Sequence, residues 1–165
     1  MATETTSNVG IGGIETNQWL AGAAGGFLGS ILFGLMMRYV MPPPLLEMVI
    51  PAMYGIEGPA LMAGWAIHQF HGVVLGLVYV ALVQAPPLRE RAKRLGGALS
   101  LGVAYGVLTT IGLAVIVMSL WLSAVGFPMA PPFPNVGFPA TLLSTIGHVV
   151  YAIPVALAYA LVTGE

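Results

Sequence analysis

The chain has 165 residues, of which 58% are hydrophobic and only 7% are charged. Soluble domains carry about 25% charged residues, so this composition is typical of a protein embedded in a lipid bilayer. The net charge of −1 provides no basic surface for nucleic acid, and without cysteine the chain cannot form disulfides, thiolate metal sites or a thiol nucleophile.

Four apolar segments follow a polar N-terminal tail, and each is close to or above the roughly 20 residues that cross a bilayer as a helix. The tail, residues 1–18, contains no Lys or Arg and is predicted to be disordered. Helices are predicted at residues 19–41, 62–84, 96–122 and 141–163. Because backbone groups in lipid must be bonded internally, the predicted fold class is all-α, a four-helix transmembrane bundle.

The loops predict the orientation of the chain. Four of the five basic residues lie in residues 85–95, which join a first hairpin (19–84) to a second hairpin (96–165). By the positive-inside rule this basic loop is cytoplasmic, so both termini are predicted to be cytoplasmic in a multi-pass plasma-membrane protein. The two opposite, outer connections are rich in proline. Their short apolar pieces are predicted to lie at the interface or to dip partly into the bundle as caps.

The two hairpins align with each other at a constant offset of 80 residues, which predicts an internal repeat of two parallel hairpins. His68 then aligns with His148, and Tyr79 with Tyr159. Small residues recur every four positions on all four helices, and such stripes let helix backbones approach closely in lipid. The predicted packing stripe comprises Gly22, Gly26, Gly34, Gly72, Gly76, Gly102 and Gly106.

His68 and His148 lie on these stripes, so both are predicted to face the interior of the bundle. A polar side chain there is a candidate functional residue, because leaving it unpaired costs on the order of a few kcal/mol. One interpretation is a hydrogen bond to a neighbouring helix that only supports packing; the other is ligation of haem iron or another metal. His71, one turn after His68, and Tyr151, its counterpart in the repeat, complete a candidate buried polar cluster.

A second cluster, of ionisable side chains, is predicted on the outer side at Arg38, Glu47 and Glu57. Arg38 opposes the positive-inside trend, so it is predicted to have a carboxylate partner or to reach the lipid headgroups. A salt bridge to Glu47 or Glu57 is the favoured interpretation, and a proton or ion path is the alternative. Six of the nine methionines lie between residues 36 and 62. Thioether and imidazole ligands favour Cu(I), although methionine also fills irregular apolar cores.

On the cytoplasmic side of the histidines, the stripes contain only Gly, Ala and Val, so the sequence predicts no polar track across the membrane. A channel or transporter therefore remains an alternative chiefly for an oligomer with a pore between protomers. Tyr79 and Tyr159, near the cytoplasmic ends of their helices, are predicted to belong to an interfacial aromatic belt.

Two short motifs carry a family resemblance. Residues 64–68 read Gly-Trp-x-x-His, and residues 147–151 read Gly-His-x-x-Tyr. Gly72 and Gly76 follow the first motif. The pattern resembles a family of short, uncharacterised prokaryotic four-helix integral membrane proteins, in which a helix with the first motif and a helix with the second motif recur. The resemblance implies a four-helix fold and implies no activity. The second histidine, His71, departs from the family pattern.

Together these features predict a non-enzymatic integral membrane protein that is a small subunit of a membrane complex or a homo-oligomer. Its surroundings are the lipid bilayer, and this interpretation requires no cofactor. The first alternative is a haem- or copper-binding redox protein that uses His68 and His148. The second alternative is a small channel or transporter.

Overall fold

The computed structural model describes residues 11–41 and 44–164, and these residues form an all-α protein without a strand. Four helices are long and apolar enough to cross a membrane: α1 (Thr16–Tyr39), α2 (Leu61–Leu82), α3 (Leu95–Ala124) and α4 (Ala140–Thr163). The predicted all-α bundle of four membrane-spanning helices is therefore confirmed. Each helix begins and ends within three residues of its predicted limits.

The structure describes the last part of the predicted N-terminal tail, residues 11–18. Helix α1 already begins at Thr16, and the Gln18 side chain is buried. The indole Nε1 of Trp19 donates a hydrogen bond to the carbonyl of Ile11 (3.3 Å). The last three residues of the predicted tail therefore belong to α1, and the predicted disorder of the tail as a whole stays a prediction. The rest of the tail lies outside the described residues.

Helices α1 and α4 form the centre of the bundle. Helix α1 packs along α2 on one side and along α4 on the other, and α4 also packs along α3. Helices α2 and α3 make only sparse contact with each other. The four helices therefore form a curved row in the order α2, α1, α4, α3, with a gap between the two outermost members.

Close contacts at glycine hold this row together. All seven glycines of the predicted stripe are buried. A Cβ atom on Gly26 would meet the carbonyl oxygen of Gly72, and one on Gly106 would lie 2.6 Å from the Cα atom of Val149. Because these neighbouring atoms belong to the backbone, the helices can approach this closely only where a side chain is missing.

The two ends of the bundle differ in chemistry. At the basic end, a short helix (Pro86–Ala92) connects α2 to α3. There Lys93 Nζ donates a hydrogen bond to the exposed Glu90 carboxylate (2.9 Å), and this bond holds the pKa of Glu90 below its usual value. The opposite end is formed by residues 44–60 and 125–139, and we call it the proline-rich end.

The connection between α1 and α2 covers part of the proline-rich end. It contains a helical turn (Leu45–Val49) that packs against α2 and buries Leu46. The carbonyl of Leu46 lies directly against Gly64 of α2, where a Cβ atom would collide with it. The second connection, between α3 and α4, is mostly exposed.

Candidate functional site

A cavity of about 530 Å³ lies between α2 and α3, in the half of the bundle nearer the proline-rich end. All four helices contribute mainly apolar side chains to its wall. On the side of the basic end, the Tyr105 hydroxyl of α3 donates to the Leu75 carbonyl of α2 (2.7 Å) and closes the gap. Val74 and Trp121 on the wall are 39% and 40% exposed. The cavity therefore opens sideways between two membrane-spanning helices.

Aromatic side chains cover the cavity at the proline-rich end. The ring of Tyr54 lies 5.7 Å from the His71 ring of α2 and 5.7 Å from the Trp121 ring of α3. Tyr54 is hydrogen-bonded to His71, and Trp121 Nε1 donates to the Met53 carbonyl (2.8 Å). The connection between α1 and α2 thus bridges the two helices that stand apart.

A hydrogen bond to α1 fixes the ring of His68. Its Nε2 lies 2.9 Å from the Ser30 carbonyl oxygen, and a carbonyl only accepts, so Nε2 carries the hydrogen and donates. Gly34 leaves room for this arrangement, because a Cβ atom there would lie 3.2 Å from His68 Cδ2 and would also meet the Trp65 ring. The buried His68 ring lines the cavity.

His148, on α4, makes a different hydrogen bond. Its Nδ1 lies 2.8 Å from the Ser144 carbonyl of its own helix, so Nδ1 donates and Nε2 keeps a lone pair. The Phe33 ring lies between the two buried histidines, with its centroid 5.7 Å from the His68 ring and 4.7 Å from the His148 ring. Gly147 provides the space for Phe33, since a Cβ atom there would meet that ring.

The structure brings the predicted polar cluster together on one cavity wall. His68, His71, His148 and Tyr151 all line the cavity. The Tyr151 hydroxyl donates to the Gly72 carbonyl (2.7 Å). Across the described ranges, no three His, Asp or Glu side chains are placed to hold one metal ion. The cluster is therefore a set of separate polar atoms around an apolar space.

The predicted ionisable cluster lies outside this cavity. In the part of the chain that the structure describes, no salt bridge joins Arg38 to Glu47 or Glu57. The Arg38 guanidinium instead lies 5.9 Å from the centroid of the Tyr39 ring. These side chains are at least partly exposed, and a charge in contact with water or headgroups needs no partner, so the pairing stays a prediction.

Asn135, in the connection between α3 and α4, lines the cavity and was not predicted from the sequence. Its side chain donates to the Ala114 carbonyl (3.1 Å) and its backbone N–H to the Val115 carbonyl (3.0 Å). Both carbonyls belong to a π-helical stretch of α3, Thr110–Val117, whose wide turns leave backbone acceptors available. The sequence does contain a signal for this contact, since Asn135 is the one amide side chain within residues 127–140.

Buried tyrosines fill the bundle between the cavity and the basic end. Tyr79 is 2% exposed and Tyr159 is 0% exposed, and the Tyr105 ring lies 5.3 Å from the Tyr79 ring. The predicted interfacial belt of Tyr79 and Tyr159 is therefore wrong, because the small-residue stripes leave interior space that these rings occupy. The buried tyrosines lie beside the stripes, which themselves contain Gly, Ala and Val on this side of the histidines.

Replacing Tyr151 by Phe should lower the free energy of unfolding by about 0.5–1.5 kcal/mol, because it removes a buried hydrogen bond between α4 and α2. Equilibrium unfolding in mixed micelles with increasing SDS measures this change. Tyr39→Phe is the matched control, since Tyr39 is 76% exposed, and its stability should stay at the wild-type value. Equal stabilities for both variants would contradict the assignment.

No protein-family model, curated protein or solved structure matches this chain. The resemblance to the prokaryotic four-helix family therefore stays a prediction.

Proposed function

We propose that this membrane protein binds a lipophilic small molecule in the cavity between α2 and α3. The cavity itself carries the proposal, since its volume of about 530 Å³ falls within the roughly 300–1,000 Å³ of small-molecule sites. A mainly apolar wall with a few convergent polar groups is also typical of such sites. The opening between two membrane-spanning helices gives a ligand dissolved in the bilayer a direct entry route.

The orientation of the site follows from the charges of the loops. Four basic residues lie at the basic end, and the positive-inside rule assigns that end to the cytoplasm. We therefore assign the cavity to the outer half of the plasma membrane and both termini to the cytoplasmic side. Assembly as a small subunit of a complex or as a homo-oligomer stays a prediction, supported by the small extramembrane mass of the chain.

The role that we propose is binding without catalysis. The two buried histidines direct their N–H groups at backbone carbonyls of Ser30 and Ser144. Among the residues that the structure describes, no Asp or Glu lines the cavity to orient a histidine toward a nucleophile, as a catalytic triad requires. The wall therefore favours holding a ligand over transforming it.

Tryptophan fluorescence tests ligand binding, because Trp121 lies on the cavity wall and Trp65 lies outside it, toward the same end of the bundle. Two single-tryptophan proteins are needed: Trp19→Phe/Trp65→Phe, which keeps Trp121, and Trp19→Phe/Trp121→Phe, which keeps Trp65. Each is reconstituted in vesicles and titrated with a long-chain alcohol, or its methyl ether, brominated on the alkyl chain to quench fluorescence.

Quenching of Trp121 should saturate as the cavity fills, whereas quenching of Trp65 should rise linearly with the probe content of the bilayer. Saturation at Trp121 with at least one of the two probes is the expected result. Linear quenching at both tryptophans with both probes would overturn the proposal.

A second candidate function, haem or copper binding, is favoured by one observation. His68 and His148 each keep one ring nitrogen free of hydrogen-bond partners among the described residues, and such lone pairs ligate metals. Absorption spectra of the purified protein, oxidised and then dithionite-reduced, test this function together with metal analysis. A Soret band that is lost in His148→Ala, or stoichiometric copper, would support it, and a colourless, metal-free protein would contradict it.

A further inference from the structure

The side-chain donors on the cavity wall are directed largely at backbone carbonyl groups. Bonds of this kind, at 2.7 to 3.1 Å, are made by His68, His148, Tyr151, Thr110, Asn135 and Trp121. A carbonyl oxygen can only accept, so each of these side chains has to supply the hydrogen. What His68, His148, Tyr151 and Thr110 still present to the cavity is therefore lone pairs, whereas the wall hydroxyls of Thr141 and Ser144 keep a hydrogen of their own.

The two buried histidines show this most clearly. A neutral imidazole carries one N–H, so donation from His68 Nε2 leaves a lone pair on its Nδ1, and donation from His148 Nδ1 leaves one on its Nε2. Within the described residues, the Tyr79 hydroxyl is the one side-chain polar atom that is inaccessible to solvent and also lacks a hydrogen-bond partner. The two unpaired histidine nitrogens therefore border open space, and the space that both rings line is the cavity.

The part of the chain that the structure describes places no formal charge on the cavity wall, because none of these lining residues is Asp, Glu, Lys or Arg. A carboxylate or phosphate head would meet the lone pairs of the two histidines and no cation. An ammonium head would find no carboxylate, and an unpaired charge in an apolar membrane site is costly. A neutral head that donates a hydrogen bond avoids both problems and also satisfies a histidine lone pair.

From these contacts we infer that the cavity selects a lipophile with a neutral hydroxyl head, an alcohol or a phenol. The hydroxyl donates to a free ring nitrogen of His68 or His148, and the apolar body lies against side chains such as Val74 and Leu113 toward the lipid. This inference rests on the proposed ligand binding and adds a head-group selectivity to it.

Competition between matched probes tests the selectivity through the saturable quenching of Trp121. The brominated long-chain alcohol and its methyl ether have the same apolar body, and only the alcohol can donate. The alcohol should bind about tenfold more tightly, as expected when a buried hydrogen bond is gained and no acceptor is left unpaired. His148→Leu or His68→Leu should reduce this preference toward unity while saturable binding of the ether persists.

A second measurement keeps the test independent of how the variants fold. In the wild-type protein with ¹⁵N-labelled histidine, the nitrogen without a hydrogen should change its NMR chemical shift when the alcohol binds. Saturating methyl ether should leave that signal in place, because an ether offers no hydrogen.

The outcomes separate this inference from the proposed function. Saturable binding of equal affinity for alcohol and ether, or an unchanged preference in both histidine variants together with an unmoved nitrogen signal, would overturn the hydroxyl selectivity alone. Linear quenching of Trp121 with both probes would overturn ligand binding itself.

Discussion

Replacing Gly106 by leucine should destabilise the protein by about 3 kcal/mol, because α3 and α4 are in backbone contact at this position. A Cβ atom on Gly106 would lie 2.6 Å from Val149 Cα and 2.7 Å from Val149 N. These atoms cannot turn aside as a side chain does, so the two helices have to separate and lose packing along their length. Equilibrium unfolding in mixed SDS micelles measures the effect.

Gly112→Leu is the matched control on the same helix. A Cβ atom on Gly112 would meet nothing within 4 Å, so leucine there should change the free energy of unfolding by less than about 0.5 kcal/mol. A comparable loss of stability in both variants would mean that the cost arises from leucine on α3 in general. The close contact between α3 and α4 would then not explain it.

Filling the cavity with Ala114→Phe should weaken saturable binding of the brominated alcohol at least tenfold. Ala114 lies on the cavity wall in the π-helical stretch of α3, and a benzyl group there occupies the space that the ligand requires. The variant should stay folded, because the added side chain enters a cavity and not a packed contact. Titration of Trp121 quenching in vesicles gives the affinity.

Ala104→Phe provides the same chemical change on the exposed face of α3, where the added ring meets lipid. The affinity of this control should equal that of the wild type. If Ala104→Phe and Ala114→Phe weaken binding equally, the probe does not occupy the cavity between α2 and α3.

The four membrane-spanning helices could be predicted from the sequence because hydropathy over about 20 residues needs no knowledge of the neighbouring helices. The gap between α2 and α3 could not be predicted, because every helix carries a small-residue stripe and the stripes alone do not show which pair of helices stays apart. At an offset of 80 residues, Gly25 and Gly29 of α1 correspond to Tyr105 and Thr109 of α3. Gly25 and Gly29 let α1 approach α4, with Val155 Cα only 2.7 Å from a Cβ built on Gly25. At the position of α3 that corresponds to Gly25, the Tyr105 side chain instead spans the distance to the Leu75 carbonyl of α2.

The candidate site was predicted only in part. His68 and His148 stand out because histidine is rare in apolar segments, but their hydrogen-bond partners are backbone carbonyls, which every sequence contains. The burial of Tyr79 and Tyr159 depends on space between other helices, so their position near the helix ends misled the prediction. Contacts made by a connecting loop, such as those of Asn135, depend on a chain path that periodicity does not predict.

Locating a bound molecule tests the central claim most directly. A long-chain alcohol that carries a diazirine on its alkyl chain is irradiated in vesicles with the wild-type protein, and the labelled residues are identified by mass spectrometry. We expect the labels on cavity-lining residues such as Met118 and Trp121, and we expect excess unlabelled alcohol to abolish them. Labels spread over lipid-facing residues such as Leu108 and Leu120, and unaffected by competitor, would contradict a ligand site between α2 and α3.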